Sequence, residues 1–427
     1  MKRFRTVMMF LSEASKAHAK WEIDTARTIL SSKKRLFILF LLMLPAILFS
    51  IAVAADALPS IIGGKEAYGP AFYSTKVFIV SMIVGLCAGL ITGCIGAGGG
   101  FIIAPALMTV GVKGILAVGT DLFHIFAKAI MGTAVHKKLG NVSVGLAIAF
   151  LVGSIIGATG GGLLNRTLYN INPVLSDAFI SLVYTVLLGF LGIYSLIDFL
   201  KLRKAPDEVG AVHGESPKGA VATSGKVGLP AKLQASKIPP LIRFDEDLVP
   251  GGKTIPALYV AIAGLVVGLA AAIMGVGGGF LTFPIFVYVL GVSSFTTVGT
   301  DILQIIFTAG YASITQYAIY GFVFYTLAMG MLLGSLIGIQ IGALTTKVVK
   351  GIYIRGFYAV SILAGFLNRG FSLPGKLTSL KIVSIPKSTL AVIDTLGTWI
   401  FFIIIGFFTL WVMSKFFTNI PSLREEV

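Results

Sequence analysis

The chain has 427 residues, 56% hydrophobic and only 12% charged, with a mean hydropathy of +0.93. A soluble domain carries about twice that charged share; several apolar runs reach the roughly 20 residues a helix needs to cross a bilayer; and the strand alternation of an outer-membrane barrel is absent. The formal net charge of +16 would point a soluble protein to nucleic acid, but here the basic residues gather at the ends of apolar runs, where membrane orientation accounts for them, leaving attraction of anions a secondary role.

Residues 1–35 form a polar, mostly basic arm closed by Lys33-Lys34-Arg35. The apolar run 36–55 is the first candidate span. Its end, Ala52-Val53-Ala54-Ala55, has the form of a signal-peptidase site. The basic region before it is too long for a leader, and the run is long enough to cross, which favours a retained helix. Residues 56–76 read as an exposed loop from their prolines and glycines. A first membrane unit, 77–200, follows. It holds a span over 77–95, a short apolar piece over 101–112, a span over 115–135, a span over 142–164 with Gly153, Gly157 and Gly161, and a span over 174–200. Residues 201–253 are rich in proline and scattered charge and read as a soluble linker, largely without regular structure. The second unit, 254–368, repeats the order: 255–273, a short piece 280–290, 295–317, 322–344 with Gly334, Gly338 and Gly342, and 352–367. A polar loop over 368–387 leads to a last span, 389–416, outside the repeat.

The duplication is clearest in one motif. Ile95-Gly96-Ala97-Gly98-Gly99-Gly100-Phe101 runs on to Pro105, and Met274-Gly275-Val276-Gly277-Gly278-Gly279-Phe280 runs on to Pro284. Each is followed by Val-Gly-Thr-Asp, at 118–121 and 298–301. Two such blocks in one order indicate a duplicated membrane unit. If each block breaks a helix inside the membrane and its short piece completes the crossing, Lys137-Lys138 and Lys201, Arg203 and Lys204 return to the side of the basic arm, as positive-inside bias requires. Each unit then crosses an odd number of times, so the expected fold is an all-α polytopic membrane protein with two inverted repeats and extra helices at both ends. Arg369, Lys376, Lys381 and Lys387 fit this poorly, since they would face out.

Consecutive glycines in a helix cost about 1 kcal/mol each relative to alanine, and packing needs only one small residue per turn. The four-residue glycine sets therefore read as packing, and the triple glycines Gly98, Gly99, Gly100 and Gly277, Gly278, Gly279 as functional. Amides freed at the start of a half-helix carry partial positive charge and bind anions. Beside them, Asp121, His124 and Lys128 share one helical face, matched by Asp301, Gln304 and Thr308. Ionisable groups in mid-span face a polar interior. Asp121 has a cation in its own stripe and Asp301 has none, so Asp301 is open to titration or cation binding. The bland alternative is that these residues only tie helices together, and for His124 the two readings are evenly placed. Thr120 and Thr300 are candidate hydroxyl donors to the anion. Cys87 and Cys94 lie roughly 10 Å apart along one helix, too far for an intrahelical disulfide. No metal motif, cofactor fingerprint or ATP loop is present.

The doubled G-x-G-G-G-F-x-x-x-P with its following V-G-T resembles the TauE/SafE (sulfite exporter, toluene-sulfonate-uptake permease) family over about 77–367. The resemblance implies a permease of the bacterial cytoplasmic membrane for sulfite or organosulfonates. The sequence departs from the family pattern at Asp121 and Asp301, where a small residue is usual, and in its longer linker and basic arm. The leading expectation is a secondary transporter of a small anion coupled to H+ or Na+. Gly98–Gly100, Gly277–Gly279, Thr120 and Thr300 would bind substrate, and Asp121, Asp301, His124, Lys128 and Gln304 would couple the ion. The alternatives are a transporter-derived sensor or scaffold without flux, and a membrane enzyme, which has no catalytic set on neighbouring spans. A homo-oligomer is left open.

Overall fold

The computed structural model describes residues 75–95, 99–138, 143–204, 229–246, 252–345, 348–349 and 351–420, and the isolated positions 33, 34 and 37. The basic arm apart from 33 and 34, the first candidate span apart from 37, residues 56–74, much of the linker, and Gly98 lie outside the described residues. The first half comprises α1 (Thr75–Ile95), α2 (Gly100–Thr109), α3 (Gly114–Lys138), α4 (Val144–Ile171) and α5 (Pro173–Lys204). The second comprises α7 (Ala257–Met274), α8 (Gly279–Pro284) with a π-helical continuation (Ile285–Leu290), α9 (Ser294–Tyr311) with π and 3-10 turns to Tyr320, α10 (Tyr325–Thr345) and α11 (Gly351–Ser379). A last helix, α12 (Lys387–Thr418), packs on α11.

Six helices among the described residues are long and apolar enough to cross a membrane. Their outward faces are apolar: Val144, Ile148, Val152 and Ile156 on α4, and Val392, Leu396, Trp399, Ile403 and Phe407 on α12, are all exposed. In water such stripes would be a liability; against lipid tails they are the matching surface. The polar groups are inside instead, with Thr120, Asp121, His124, Ser154, Thr300 and Ser335 fully buried.

The halves are interlocked rather than laid side by side. α1 packs on α10 and α4 on α7, while α3 lies on α9 and α5 on α11. Exchanging the halves maps this pairing onto itself. The two seams are made by the four-spaced glycines. A Cβ on Gly334 would stand 1.9 Å from the Met82 carbonyl oxygen, and one on Gly153 1.7 Å from that of Ala261. Backbones this close leave no room for any side chain, and the dispersion gained there drives association in a solvent as apolar as the helices.

Two regions depart from expectation. Part of the stretch read as an irregular linker is folded: Leu229–Ala235 is a short helix, α6, and β1 (Leu241–Phe244) pairs antiparallel with β2 (Lys253–Pro256). The hairpin buries Phe244 and Ile255. Asp245, beside it, accepts from the Ser293 amide at 3.0 Å and from its hydroxyl at 2.7 Å. The apolar alternation over these four-residue strands is too short to stand out among prolines. The polar loop expected over 368–387 is helical to Ser379. Arg369 is buried and Lys376 half-buried, both held by internal hydrogen bonds, so these two cations are not free orientation signals.

Candidate functional site

In both halves the glycine block ends one helix and begins another: α1 stops at Ile95 before α2 starts at Gly100, and α7 stops at Met274 before α8 starts at Gly279. Gly99 (φ 64°) and Gly278 (φ 90°) hold left-handed backbone immediately ahead of each new helix. That conformation costs an L residue about 1–2 kcal/mol. The two breaks meet in the interior. A Cβ on Gly100 would stand 3.0 Å from Val276 Cα, and one on Gly275 2.7 Å from Val118 Cα. Gly99, Gly100 and residues 275–279 are all buried.

A break in an apolar region frees backbone groups that must be met by protein. The carbonyls at the end of α7 are met. Asn165 Nδ2 donates to Ile273 O at 3.1 Å, the Tyr317 hydroxyl donates to Ala272 O, and the Tyr184 hydroxyl donates to Met274 O. The amides of Gly279 and Phe280 at the start of α8 have no intrahelical acceptor. Here the carboxylate of Asp301 comes in: its Oδ2 lies 3.0 Å from where a Cβ on Gly279 would be. The position is electrostatically favourable, since a helix start carries about half a positive charge.

The second stripe is a closed chain. Gln304 Nε2 donates to Asp301 Oδ1 at 2.7 Å, Thr308 donates to Gln304 Oε1 at 2.9 Å, and Ser154 on α4 lies 2.8 Å from the Thr308 hydroxyl. The first stripe reaches the matching serine on α10 differently, with His124 Nε2 at 2.9 Å from Ser335 Oγ. His124 Nδ1 is 3.6 Å from Asp121 Oδ1. Both Asp121 oxygens and His124 Nδ1 are buried without a hydrogen-bond partner among the described residues. Lys128 donates to Thr92 at 3.4 Å.

Thr120 and Thr300 also take matching places. Thr120 Oγ1 accepts from the Phe324 amide, ahead of α10, and Thr300 Oγ1 accepts from the Ser143 amide, ahead of α4, each at 3.0 Å. Their oxygens tie one half's third helix to the other half's fourth.

The stretch with this geometry matches the family model for the sulfite exporter TauE/SafE, over residues 81–368. The chain belongs to the TauE/SafE family. Its relatives include two probable membrane transporter proteins of Bacillus subtilis (strain 168). It is 25% identical to YunE over 279 residues, covering 62% of this chain and 87% of that protein, and 25% identical to YjnA over 262 residues, covering 61% and 87%. No solved structure matches it. The chain is thus a multi-pass membrane transporter of the TauE/SafE family. The matched region runs from α1 into α11, so α12 lies beyond it.

Of the residues singled out from sequence, the structure brings Gly100, Gly275–Gly279 and Asp301 to one interior junction, with the Asp121–His124 pair on the neighbouring α3. Asn165, Tyr184, Tyr317, Ser154 and Ser335 complete the surroundings and carried no sequence signal. Each acts on a partner more than 40 residues away in the chain, beyond the reach of any helical spacing.

Proposed function

We propose that this transporter moves a small anion, of the sulfite or organosulfonate kind, across the bacterial cytoplasmic membrane in company with protons. The single observation that carries the reading is the placement of Asp301 beside the opening residue of α8, next to the other half's break. An anion bound at the freed amides and the Asp301 carboxylate would compete for one small region of positive potential, and two like charges there repel strongly away from water. A proton on Asp301 removes that competition, so anion and proton enter together. Thr120 and Thr300 would offer their hydroxyl protons to the anion while their oxygens hold the Phe324 and Ser143 amides. The halves are inverted about it, and rocking one seam-locked pair of helices against the other alternates the access.

The test is flux in proteoliposomes. Wild-type protein should carry labelled sulfite or a sulfonate, faster under a pH gradient that drives protons in the same direction. Asp301→Asn should carry it at a rate insensitive to that gradient. Unchanged sensitivity in D301N would remove the coupling role, and no flux of any anion by the wild type would remove the substrate class.

A further inference from the structure

A second polar cavity lies away from the glycine junction. It holds about 460 Å3 between the end of α2, the start of α5, the last turns of α11 and the start of α12. Thr109, Lys113, Asp177, Arg369, Lys376 and Asp394 supply its polar lining. Since α2 begins at the first glycine break, the cavity sits at the other end of that half-helix, roughly 14 Å away at 1.5 Å per residue.

Its chemistry is unbalanced. Arg369 is only 2% exposed, yet it makes no ion pair among the described residues. Its Nη2 donates to Thr109 Oγ1 at 2.6 Å and its Nε to Asn368 Oδ1 at 2.8 Å, both neutral acceptors. Lys376, two turns on along the same face of α11, donates to Ser181 Oγ at 2.6 Å and to the Asp177 carbonyl at 3.1 Å, again neutral. The Asp177 carboxylate accepts the Gly114 amide at 2.7 Å and also attracts Lys376, Lys113 and Arg369 through space. Asp394 is exposed at the rim. Three cations, Lys113, Arg369 and Lys376, thus face two carboxylates, Asp177 and Asp394, and the surplus positive charge beside a buried guanidinium favours an anion. Room for on the order of 15 waters, at about 30 Å3 each, exceeds what a bare oxyanion needs and fits an oxyanion head with a short organic tail.

We propose that Arg369 and Lys376 form a second binding site for a small organic anion with a sulfonate- or carboxylate-type head, held before or after the glycine junction. The site shares its ligand class with the transport reading, but its test does not require flux. The full chain, purified in detergent, is titrated calorimetrically with methanesulfonate. Wild type should bind saturably. Arg369→Gln and Lys376→Gln should each weaken binding by about tenfold or more, as expected for a lost charge-assisted contact. Asp394→Asn should tighten it by about two- to fivefold, the range of an exposed charge interaction; a tie that only braces helices would not respond with that sign. Gly278→Ala should keep this binding while slowing flux, so loss of transport and loss of this site are read separately. If R369Q does not fold, D394N, at an exposed position, and Arg369→Lys, which keeps the charge, carry the test. Nanodiscs separate the two sources of such a head group: saturation in phosphatidylcholine discs assigns a free solute, and competition only from phosphatidylglycerol assigns a lipid phosphate. Absence of saturable binding to either, or K376Q binding like wild type, would overturn the site.

Discussion

Asp121 and Asp301 occupy the same place in the two halves, yet one carboxylate faces a lysine charge without a hydrogen-bond partner among the described residues and the other is held by an amide. Asp301 accepts from Gln304, which accepts from Thr308. Asp121 has His124 in the place of Gln304, 3.6 Å away, and both its oxygens lack a partner among the described residues. The scaffold around them is matched down to Ser335 and Ser154, which close the two stripes from the partner half. The two halves thus hold the same frame with different side chains in it. A fixed amide donor holds one carboxylate in place. In the other half an imidazole, able to donate or accept, stands 3.6 Å from the carboxylate.

The largest effect is expected where the halves do not differ. Gly153→Leu and Gly334→Leu place carbon atoms within 2 Å of a facing carbonyl oxygen, at 1.7 and 1.9 Å respectively, and a backbone cannot move aside as a side-chain tip can. Each should destabilise by more than about 4 kcal/mol, among the largest single-site losses, and yield aggregated protein in size-exclusion chromatography. Gly278→Ala should elute as wild type: the nearest atom to its new methyl is Val267 Cγ1, at 2.6 Å, and the φ penalty is about 1–2 kcal/mol. If both classes aggregate alike, the triple glycines are packing residues after all.

A smaller effect comes from erasing the difference between the stripes. His124→Gln gives Asp121 the donor that Asp301 already has. Stability should rise by about 1 kcal/mol, the net worth of one hydrogen bond to a buried acceptor, seen as a higher unfolding temperature in detergent. The pH profile of flux should lose whatever part the Asp121–His124 pair contributes and keep the part due to Asp301. An unchanged profile with raised stability would make His124 a purely structural residue.

The membrane class, the duplication and the breaks were readable because each has a local signature: hydropathy over some 20 residues, a motif seen twice, and glycine triplets that no packing rule needs. The mutual packing of α1 on α10 and α4 on α7 was not, since nothing local records which seam faces which. The stripe of Asp121, His124 and Lys128 followed from helical period, but its partner Ser335 lies 211 residues from His124. Arg369 looked like a misplaced surface charge because burial is invisible to a charge count. The β1–β2 hairpin escaped because its strands are only four residues long and its apolar Phe244 and Ile255 gain meaning only once they are buried in the core.

The smallest effect should again be the same in both halves. Thr120→Val and Thr300→Val each leave one backbone amide, of Phe324 or Ser143, without its acceptor. The cost of an unpaired buried donor is about 1–3 kcal/mol, and the two variants should lose stability to a similar degree because the ties are equivalent. Serine at either position keeps the oxygen and should restore most of the loss. If the hydroxyls serve only these ties, flux per folded molecule stays within about threefold of wild type, since a broken tie costs stability rather than substrate contact. A loss of affinity for the anion in T300V, reversed by T300S, would instead place that hydroxyl's proton on the substrate. The same loss in T120V alone would mean that the halves differ at the junction as well as along the stripe.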